Sequence, residues 1–257
     1  MRCFFALLLL LSGVGCASIR GTERSTVSSS QDIQSAYWFR GTPLSLQAVT
    51  QGDIVVHSPL ANGSTITFTT WFSGQLTNRT GDAIFPDGHG GEVTEIDISI
   101  TYSQRFGNVD FTTGGIGYAY PEVRDSTKEA FVSGTIEALG LAHSLTAYYD
   151  TDLLDDYYVL YQASKGWKID EHWSSALGFR LGYMSDDQAA FYFDKENSGL
   201  SDMTLSGSLS YNFDANTSIF LKAAGVTVPD DDLSDTLDTN GFENSGEWLT
   251  LGVAWGL

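Results

Sequence analysis

Charged side chains recur at alternate positions in segments where apolar and polar residues also alternate. In residues 94–106, Glu95, Asp97 and Arg105 share one face with serine and threonine, and isoleucines occupy the other face. The same alternation along the chain places these ionisable residues on the polar face: Arg40, Asp53, His57, Glu95, Asp97, Arg105, Glu129, Glu137, Arg180 and Lys222. If these faces line one interior, their mixed charges predict either a passage that selects ions and small solutes or an ion-pair network that fills the space.

A period of two is the main secondary-structure signal of this chain. Residues 64–76, 173–183 and 203–213 repeat the pattern, and their lengths suit the roughly 9–11 residues that a tilted strand needs to cross a bilayer. The predicted strands are 33–41, 51–58, 64–76, 93–106, 109–120, 128–139, 143–150, 157–168, 172–184, 202–213, 217–228 and 247–257. The predicted fold is therefore all-β, an antiparallel transmembrane β-barrel of about twelve strands.

The connections between these strands favour a membrane barrel over a soluble sandwich, which would also alternate. Tight turns at 59–63, 107–108, 140–142, 169–171 and 214–216 alternate with longer segments such as 77–92, 185–201 and 229–246. Short periplasmic turns and long extracellular loops are typical of outer-membrane barrels. Aromatic residues near the segment ends, including Trp173 and Tyr211, suit the two membrane interfaces.

The N-terminus has the pattern of a secretory signal peptide, with Arg2, an apolar run and then small residues. Residues 13–16 (Gly-Val-Gly-Cys) resemble a bacterial lipobox, so Cys16 is a lipidation candidate, and ordinary cleavage near Ala17 is the alternative. We therefore divide the chain into a signal peptide at 1–16, a Ser/Thr-rich flexible tether at 17–32 and the barrel at 33–257. Both cysteines, Cys3 and Cys16, lie in the leader.

The last residues resemble the C-terminal signal that the barrel-assembly machinery recognises. Thr250, Gly252 and Trp255 match its polar, glycine and apolar positions, and Leu257 stands where the pattern has a terminal aromatic residue. The resemblance implies that the barrel-assembly machinery is a partner.

Residues 37–42 (Tyr-Trp-Phe-Arg-Gly-Thr) resemble the first strand of the TorF-like family of Gram-negative outer-membrane proteins. The strand rhythm over most of the remaining chain is compatible with that family. The resemblance implies a β-barrel in the bacterial outer membrane, in contact with lipid and lipopolysaccharide, and says little about substrate.

The formal charge of −19 argues against nucleic acid as a partner, because phosphate binding needs clustered lysine and arginine. Carboxylates gather in the long loops, as at Asp150, Asp186, Asp202 and Asp230, where they predict a solvated acidic rim that attracts cations. Residues 230–238 lack the glycine and terminal glutamate of a calcium-binding EF-hand loop, so we predict no metal site and no cofactor.

The sequence gives little evidence for a catalytic site. His143-Ser144 is an adjacent histidine–serine pair, and no third group that would orient the histidine is recognisable. We therefore predict that the protein is not an enzyme, with a membrane hydrolase as the least favoured hypothesis.

Two functions remain open from the sequence. The first is a porin-like passive channel for small solutes or ions, with a mild cation preference. The alternative is a non-conducting structural or surface-contact barrel whose inward charge pairs close the lumen.

Overall fold

The chain folds into a closed barrel of twelve antiparallel strands, which confirms the predicted architecture. The computed structural model describes residues 24–81, 83–121 and 125–256. Going round the barrel, the strands are β1 (Thr26–Gln34), β4 (Val49–Pro59), β5 (Thr65–Gln75), β6 (Val93–Phe106), β7 (Val109–Ala119), β8 (Thr127–Ala138), β9 (Leu141–Asp150), β10 (Tyr157–Lys168), β11 (Trp173–Met184), β12 (Gly199–Asn212), β13 (Thr217–Thr227) and β14 (Ser245–Gly256).

The first barrel strand begins earlier than the sequence predicted. Residues 26–32 belong to β1, which pairs with β4 on one side and β14 on the other, so they are not part of a tether. Their outward face carries Ser29 and Gln31 beside Val27, so the apolar alternation is too weak to identify a strand. Pairing satisfies the backbone groups of β1 on both edges and removes the free edges of β4 and β14.

The predicted first strand, 33–41, is wrong. The chain leaves β1 at Gln34 and forms a short hairpin of β2 (Tyr37–Phe39) and β3 (Thr42–Ser45), which pair with each other and not with the barrel. We call residues 37–45 the plug hairpin. Its two-residue loop has φ of 50° at Arg40 and 86° at Gly41, and positive φ at both loop residues matches the right-handed twist of the paired strands.

The barrel exterior is apolar. Ile98, Ile100 and Leu205 are 51%, 59% and 65% exposed, and the strand register places each beside further outward-facing apolar residues. A closed barrel leaves no unpaired strand edge facing lipid, which a spanning structure requires. Polar residues between these positions face the lumen, as the alternation predicted.

The lengths of the connections also agree with the sequence. Tight turns join the strands at the end that holds both Thr26 and Gly256, and the longer segments lie at the opposite end. At one tight turn, the backbone amides of Trp173 and His172 donate to Asp170 Oδ1 at 2.7 and 2.8 Å. These hydrogen bonds, chiefly that from Trp173, hold the pKa of Asp170 below its usual range.

Two short helices inside the long loops were not predicted. They are α1 (Asp186–Phe193) and α2 (Asp231–Thr239). Asp230 caps α2 by accepting hydrogen bonds from the backbone amides of Asp232 and Leu233. Within the described residues no helix is long and apolar enough to cross a membrane. The predicted signal peptide, Cys16 and Leu257 lie outside the described residues.

A charge on the outer face should destabilise the barrel far more than the same charge one residue away. We expect Ile100→Arg to lower the free energy of unfolding by about 2–4 kcal/mol in phospholipid vesicles, because the guanidinium would enter the hydrocarbon layer. Thr101→Arg is the matched control, since Thr101 faces the lumen. Denaturant titration followed by tryptophan fluorescence measures both, and equal losses would contradict the assignment of faces.

Candidate functional site

The plug hairpin is anchored inside the barrel by a buried ion pair. Arg40 at its tip donates from Nη1 to Glu129 Oε1 and from Nη2 to Glu129 Oε2, both at 2.7 Å. The two side chains are 4% and 2% exposed. Arg40 Nη1 also donates to Gln188 Oε1 of α1 at 3.3 Å. A two-pronged contact of this kind fixes the orientation of the guanidinium as well as its position.

Aromatic rings surround the same guanidinium. The carbon Cζ of Arg40 lies 4.2 Å from the ring centre of Tyr158, 4.9 Å from that of Phe39 and 5.4 Å from that of Tyr148. A cation over an aromatic face is attracted to the negative face of the ring. The rings therefore offset part of the free energy that is needed to remove the charge from water.

A second polar anchor lies at the base of the hairpin. The hydroxyl of Tyr37 donates to Glu95 Oε2 at 2.8 Å. The Tyr37 ring contacts Trp71 and Phe85 with ring centres 5.9 and 6.4 Å apart. Because Glu95 and Glu129 lie on β6 and β8, the hairpin is held against one side of the barrel wall at two points.

Apolar packing closes the remaining space around the hairpin. One cluster contains Tyr37, Leu44 and Phe85, and another contains Tyr158 with residues of both loop helices. Phe39 packs against both clusters, so it connects them across the lumen. The backbone amide of Phe85 also donates to the carbonyl of Leu44 at 3.2 Å, so the β5–β6 loop folds onto the hairpin.

Gly41 makes the close approach of the hairpin to the opposite wall possible. A Cβ at this position would meet the backbone oxygen of Ser201, and the φ of 86° disfavours any side chain. Gly246 plays a similar part on β14, since a Cβ there would overlap the ring of Trp38.

The hairpin closes the extracellular half of the lumen. In a water-filled pore the lumen-facing residues at this level would be exposed. Here one such residue is buried on every barrel strand except β1: Gln51, Ser73, Glu95, Tyr118, Glu129, Thr146, Leu160, Met184, Thr204, Ala224 and Thr250. On β1, Gln34 donates to Gln51 Oε1. No face of the wall is therefore left open at this level among the described residues.

The next lumen-facing residue towards the periplasm is solvent-accessible on almost every strand. Arg180 is exposed although Gly182 and Met184 above it on β11 are buried, and Lys222 is partly exposed below the buried Ala224 on β13. We call this periplasmic half of the lumen the vestibule. Its lining includes Asp32, Asp53, Ser99, Ser144, Gln162, Arg180, Ser206 and Lys222.

The structure places all ten predicted lumen residues inside the barrel, at three depths. Arg40, Glu95 and Glu129 belong to the plug contacts, and Asp97 lies beside Glu95 on the same face of β6. Asp53, Arg180 and Lys222 line the vestibule, where Asp53 Oδ1 accepts a hydrogen bond from the backbone amide of Ser30 at 2.7 Å. The others lie towards the periplasmic mouth: His57, Arg105 and Glu137.

The residues at the mouth form ordinary surface contacts. Arg105 pairs with Asp110 at 3.5 Å, with both side chains more than half exposed. His57 Nδ1 lies 2.9 Å from Thr67 Oγ1. Glu137 is exposed.

Sequence reasoning missed four carboxylates of the lumen, one of them Asp110, which pairs with Arg105 at the mouth. Asp150 and Asp202 were assigned to the acidic rim, but both face the lumen at strand ends and are 1% and 2% exposed. Asp202 accepts from the Tyr158 hydroxyl at 2.8 Å, and Asp150 Oδ1 accepts the backbone amides of residues 152–154. Asp32 was missed because it lies in the predicted tether. Asp150 and Asp202 are the end residues of the predicted strands 143–150 and 202–213, so parity within those bounds would have placed both in the lumen.

His143 and Ser144 cannot act together. Adjacent residues of a strand face opposite sides, so Ser144 lies in the lumen beside Gln162 and His143 lies outside, 2.8 Å from the Tyr161 hydroxyl. Among the described residues, no group of three or more histidine, aspartate or glutamate side chains is arranged to hold a metal ion.

Comparison with known proteins identifies relatives by fold. No family model and no curated protein sequence matches the chain. The NanC porin structure is 11% identical, with a TM-score of 0.51 over 89% of this chain and 98% of that chain. The KdgM porin in complex with disordered oligogalacturonate is 10% identical, with a TM-score of 0.48 over 90% and 98%. The translocator domain of autotransporter NalP from Neisseria meningitidis is 7% identical, with a TM-score of 0.45 over 98% and 93%.

At these identities the likeness concerns the fold alone. The closed twelve-strand barrel, its apolar exterior and its unequal loops make the chain a bacterial outer-membrane protein. Membership of the TorF-like family remains a prediction from residues 37–42, and the structure shows that these residues form the plug hairpin and not the first strand.

Loss of the buried ion pair should release the plug hairpin without unfolding the barrel. We expect Glu129→Gln to speed maleimide labelling of a Leu44→Cys reporter on the order of 10²–10³-fold, because breaking a buried pair costs about 3–5 kcal/mol. Leu44 is fully buried, and replacing Cys3 and Cys16 by serine leaves the reporter as the single thiol. The measurement is labelling rate by mass spectrometry.

The exposed Arg105–Asp110 pair provides the control for this experiment. Asp110→Asn in the same background should change the labelling rate by less than about fivefold, since exposed pairs contribute about 0–1 kcal/mol. Equal rates in Glu129→Gln and the parent would contradict the anchoring role of Arg40.

Proposed function

We propose that the protein is a porin-like passive channel for small solutes or ions, and that the plug hairpin closes it in its resting conformation. The observation that carries this proposal is the vestibule, a solvent-accessible polar cavity that ends at the plug hairpin and the loop residues packed against it. A barrel with a purely structural role has no need of a charged, accessible half-lumen.

The plug hairpin is built so that it can leave while the barrel stays intact. It is attached through the short segments 35–36 and 46–48 to β1 and β4, whose ends already pair at Gln34 and Val49. Its own strands pair with each other, so displacement breaks no hydrogen bond between barrel strands. The hairpin therefore has the connectivity of a gate.

The polar anchor is also consistent with a gate. A buried ion pair adds little net stability over apolar packing of the same volume, because both charges lose their hydration. Several buried polar atoms around the hairpin, including Trp38 Nε1, Thr42 Oγ1 and Gln188 Nε2, have no hydrogen-bond partner among the described residues. Such groups weaken the closed state relative to one in which water reaches them.

Charge in the opened lumen favours cations. Once Arg40 leaves with the hairpin, its partner Glu129 and the neighbouring carboxylates Glu95, Asp97 and Asp202 line the wall. Carboxylates along a pore raise the local concentration of cations. A mild cation preference follows.

A non-conducting surface barrel is the second candidate. The buried Arg40–Glu129 pair and the aromatic clusters favour it, because together they fill the lumen as a permanent core would. In that case the long loops and their two helices would be the functional surface.

Conductance distinguishes the two candidates. We expect the wild-type protein in planar bilayers to be closed for most of the recording, and a variant with residues 36–47 replaced by a short Gly/Ser turn to give stepwise currents. A turn of this kind fits because Gln34 and Val49 are already paired neighbours. Reversal potentials in a KCl gradient should show a cation preference.

The control for the channel experiment is Arg105→Ala, which lies below the plug and should stay as closed as the wild type. Folding of each variant is checked by its heat-dependent shift in gel mobility. A folded hairpin-replacement variant that passes no current would overturn the channel proposal and leave the non-conducting barrel.

A further inference from the structure

Two cations in the vestibule have no ion-pair or hydrogen-bond partner in the part of the chain that the structure describes. Arg180 on β11 and Lys222 on β13 face the lumen, and neither forms an ion pair or a hydrogen bond with another described residue. Every other lumen-facing arginine described here is paired, Arg40 with Glu129 and Arg105 with Asp110. The two cations therefore differ from the rest of the charged lumen.

The wall between these cations is lined by small, hydrogen-bonding side chains. Strand β12 lies between β11 and β13 and contributes Ser206 and Ser208 to the lumen face. The residues paired with Ser206 are Gly178 and Ala224, so little side-chain volume fills this part of the wall. We call this part of the wall, where the register places a cation on each strand beside β12 and hydroxyl groups on β12 itself, the recess.

The described carboxylates near the recess form no ion pair with either cation. Lys222 lies within electrostatic range of Asp32 and also of Arg180, whose like charge repels it. Asp202, above the recess, lies within electrostatic range of Arg180 and accepts the hydrogen bond of the Tyr158 hydroxyl, which lies 2.8 Å from Oδ1 and 3.2 Å from Oδ2. Two like charges held together in a confined space favour an anion between them.

We propose that Arg180 and Lys222, with the hydroxyls of Ser206 and Ser208, form a binding subsite for small organic carboxylates in the periplasmic vestibule. The planar guanidinium of Arg180 can hold a carboxylate through two parallel hydrogen bonds, and Lys222 supplies a second, mobile charge. The exposure of Arg180 leaves its head group accessible from the periplasmic mouth while the plug hairpin is in place.

This subsite extends the proposed channel function by naming a class of solute that the lumen would contact. It does not conflict with a cation preference of the opened channel, because the carboxylates near the plug and the two cations lie at different depths. The subsite can be tested on the closed protein, so its failure and the failure of the channel proposal give different results.

The test is isothermal titration calorimetry of the full-length protein in detergent, with citrate as the probe. We expect saturable binding that Arg180→Gln and Lys222→Gln each weaken at least about tenfold, because each removes one charged contact. Arg180→Lys keeps the charge without the paired donors and should lie between the wild type and Arg180→Gln. Inorganic phosphate serves as a second probe, and tighter binding of phosphate than of citrate would overturn the assignment to carboxylates.

Arg105→Gln is the matched control, a lumen cation at the mouth that already has Asp110 as its partner. It should leave citrate binding unchanged. Each variant is used once its gel mobility shift shows a folded barrel. Absence of citrate binding to the wild type, or binding that neither Arg180→Gln nor Lys222→Gln weakens, would overturn the subsite whatever the conductance experiment shows.

Discussion

Burying the guanidinium of Arg40 inside a membrane barrel is possible because Glu129 accepts two hydrogen bonds from it. A charge in this position without a partner would cost several kcal/mol, which would weaken the closed position of the plug hairpin. The position of the hairpin, the burial of the surrounding wall and the limit of the vestibule all depend on this contact. The barrel itself does not, since its strands are complete without the hairpin.

The width of the barrel explains why such a plug is needed. Eight-strand barrels are filled by their own wall side chains, whereas sixteen-strand barrels leave a water channel. Twelve strands enclose a space between these limits, and the wall residues here include many small ones such as Ser206, Gly178 and Ala224. The extracellular half is filled by the plug hairpin together with residues of α1, α2 and the β5–β6 loop, and the periplasmic half is left to solvent.

The sequence predicted the strands well and the contents of the lumen poorly, for different physical reasons. Strands such as 93–106 are recognisable because lipid requires an apolar residue at every second position. β1 was not predicted because Ser29 and Gln31 interrupt its outward apolar face. It forms a strand because it pairs with both β4 and β14 when the barrel closes. Nine of the ten predicted lumen residues follow from strand parity, whereas Arg40 lies in the lumen because it belongs to the plug hairpin.

The plug hairpin could not be predicted from local pattern. Residues 37–45 are rich in aromatic and apolar side chains, as a membrane strand is, and they do form strands, but these pair with each other. The contact that decides between the two arrangements joins Arg40 to a residue 89 positions away, so no local signal encodes it. Asp150 and Asp202 are a different case, because parity within the predicted strands would have placed both in the lumen.

The hairpin emerges between β1 and β4, and β1 is also the strand that closes the cylinder against β14. The plug hairpin is thus attached to β1, one of the two strands that form the closing seam (β1–β14) of the barrel. If the seam closed while the hairpin was outside, its aromatic residues would have to enter through an opening crowded by the loop helices. Insertion of the hairpin before or during closure avoids this barrier. Because the plug hairpin directly follows β1 in the chain, the lumen is filled before β1 and β14 join.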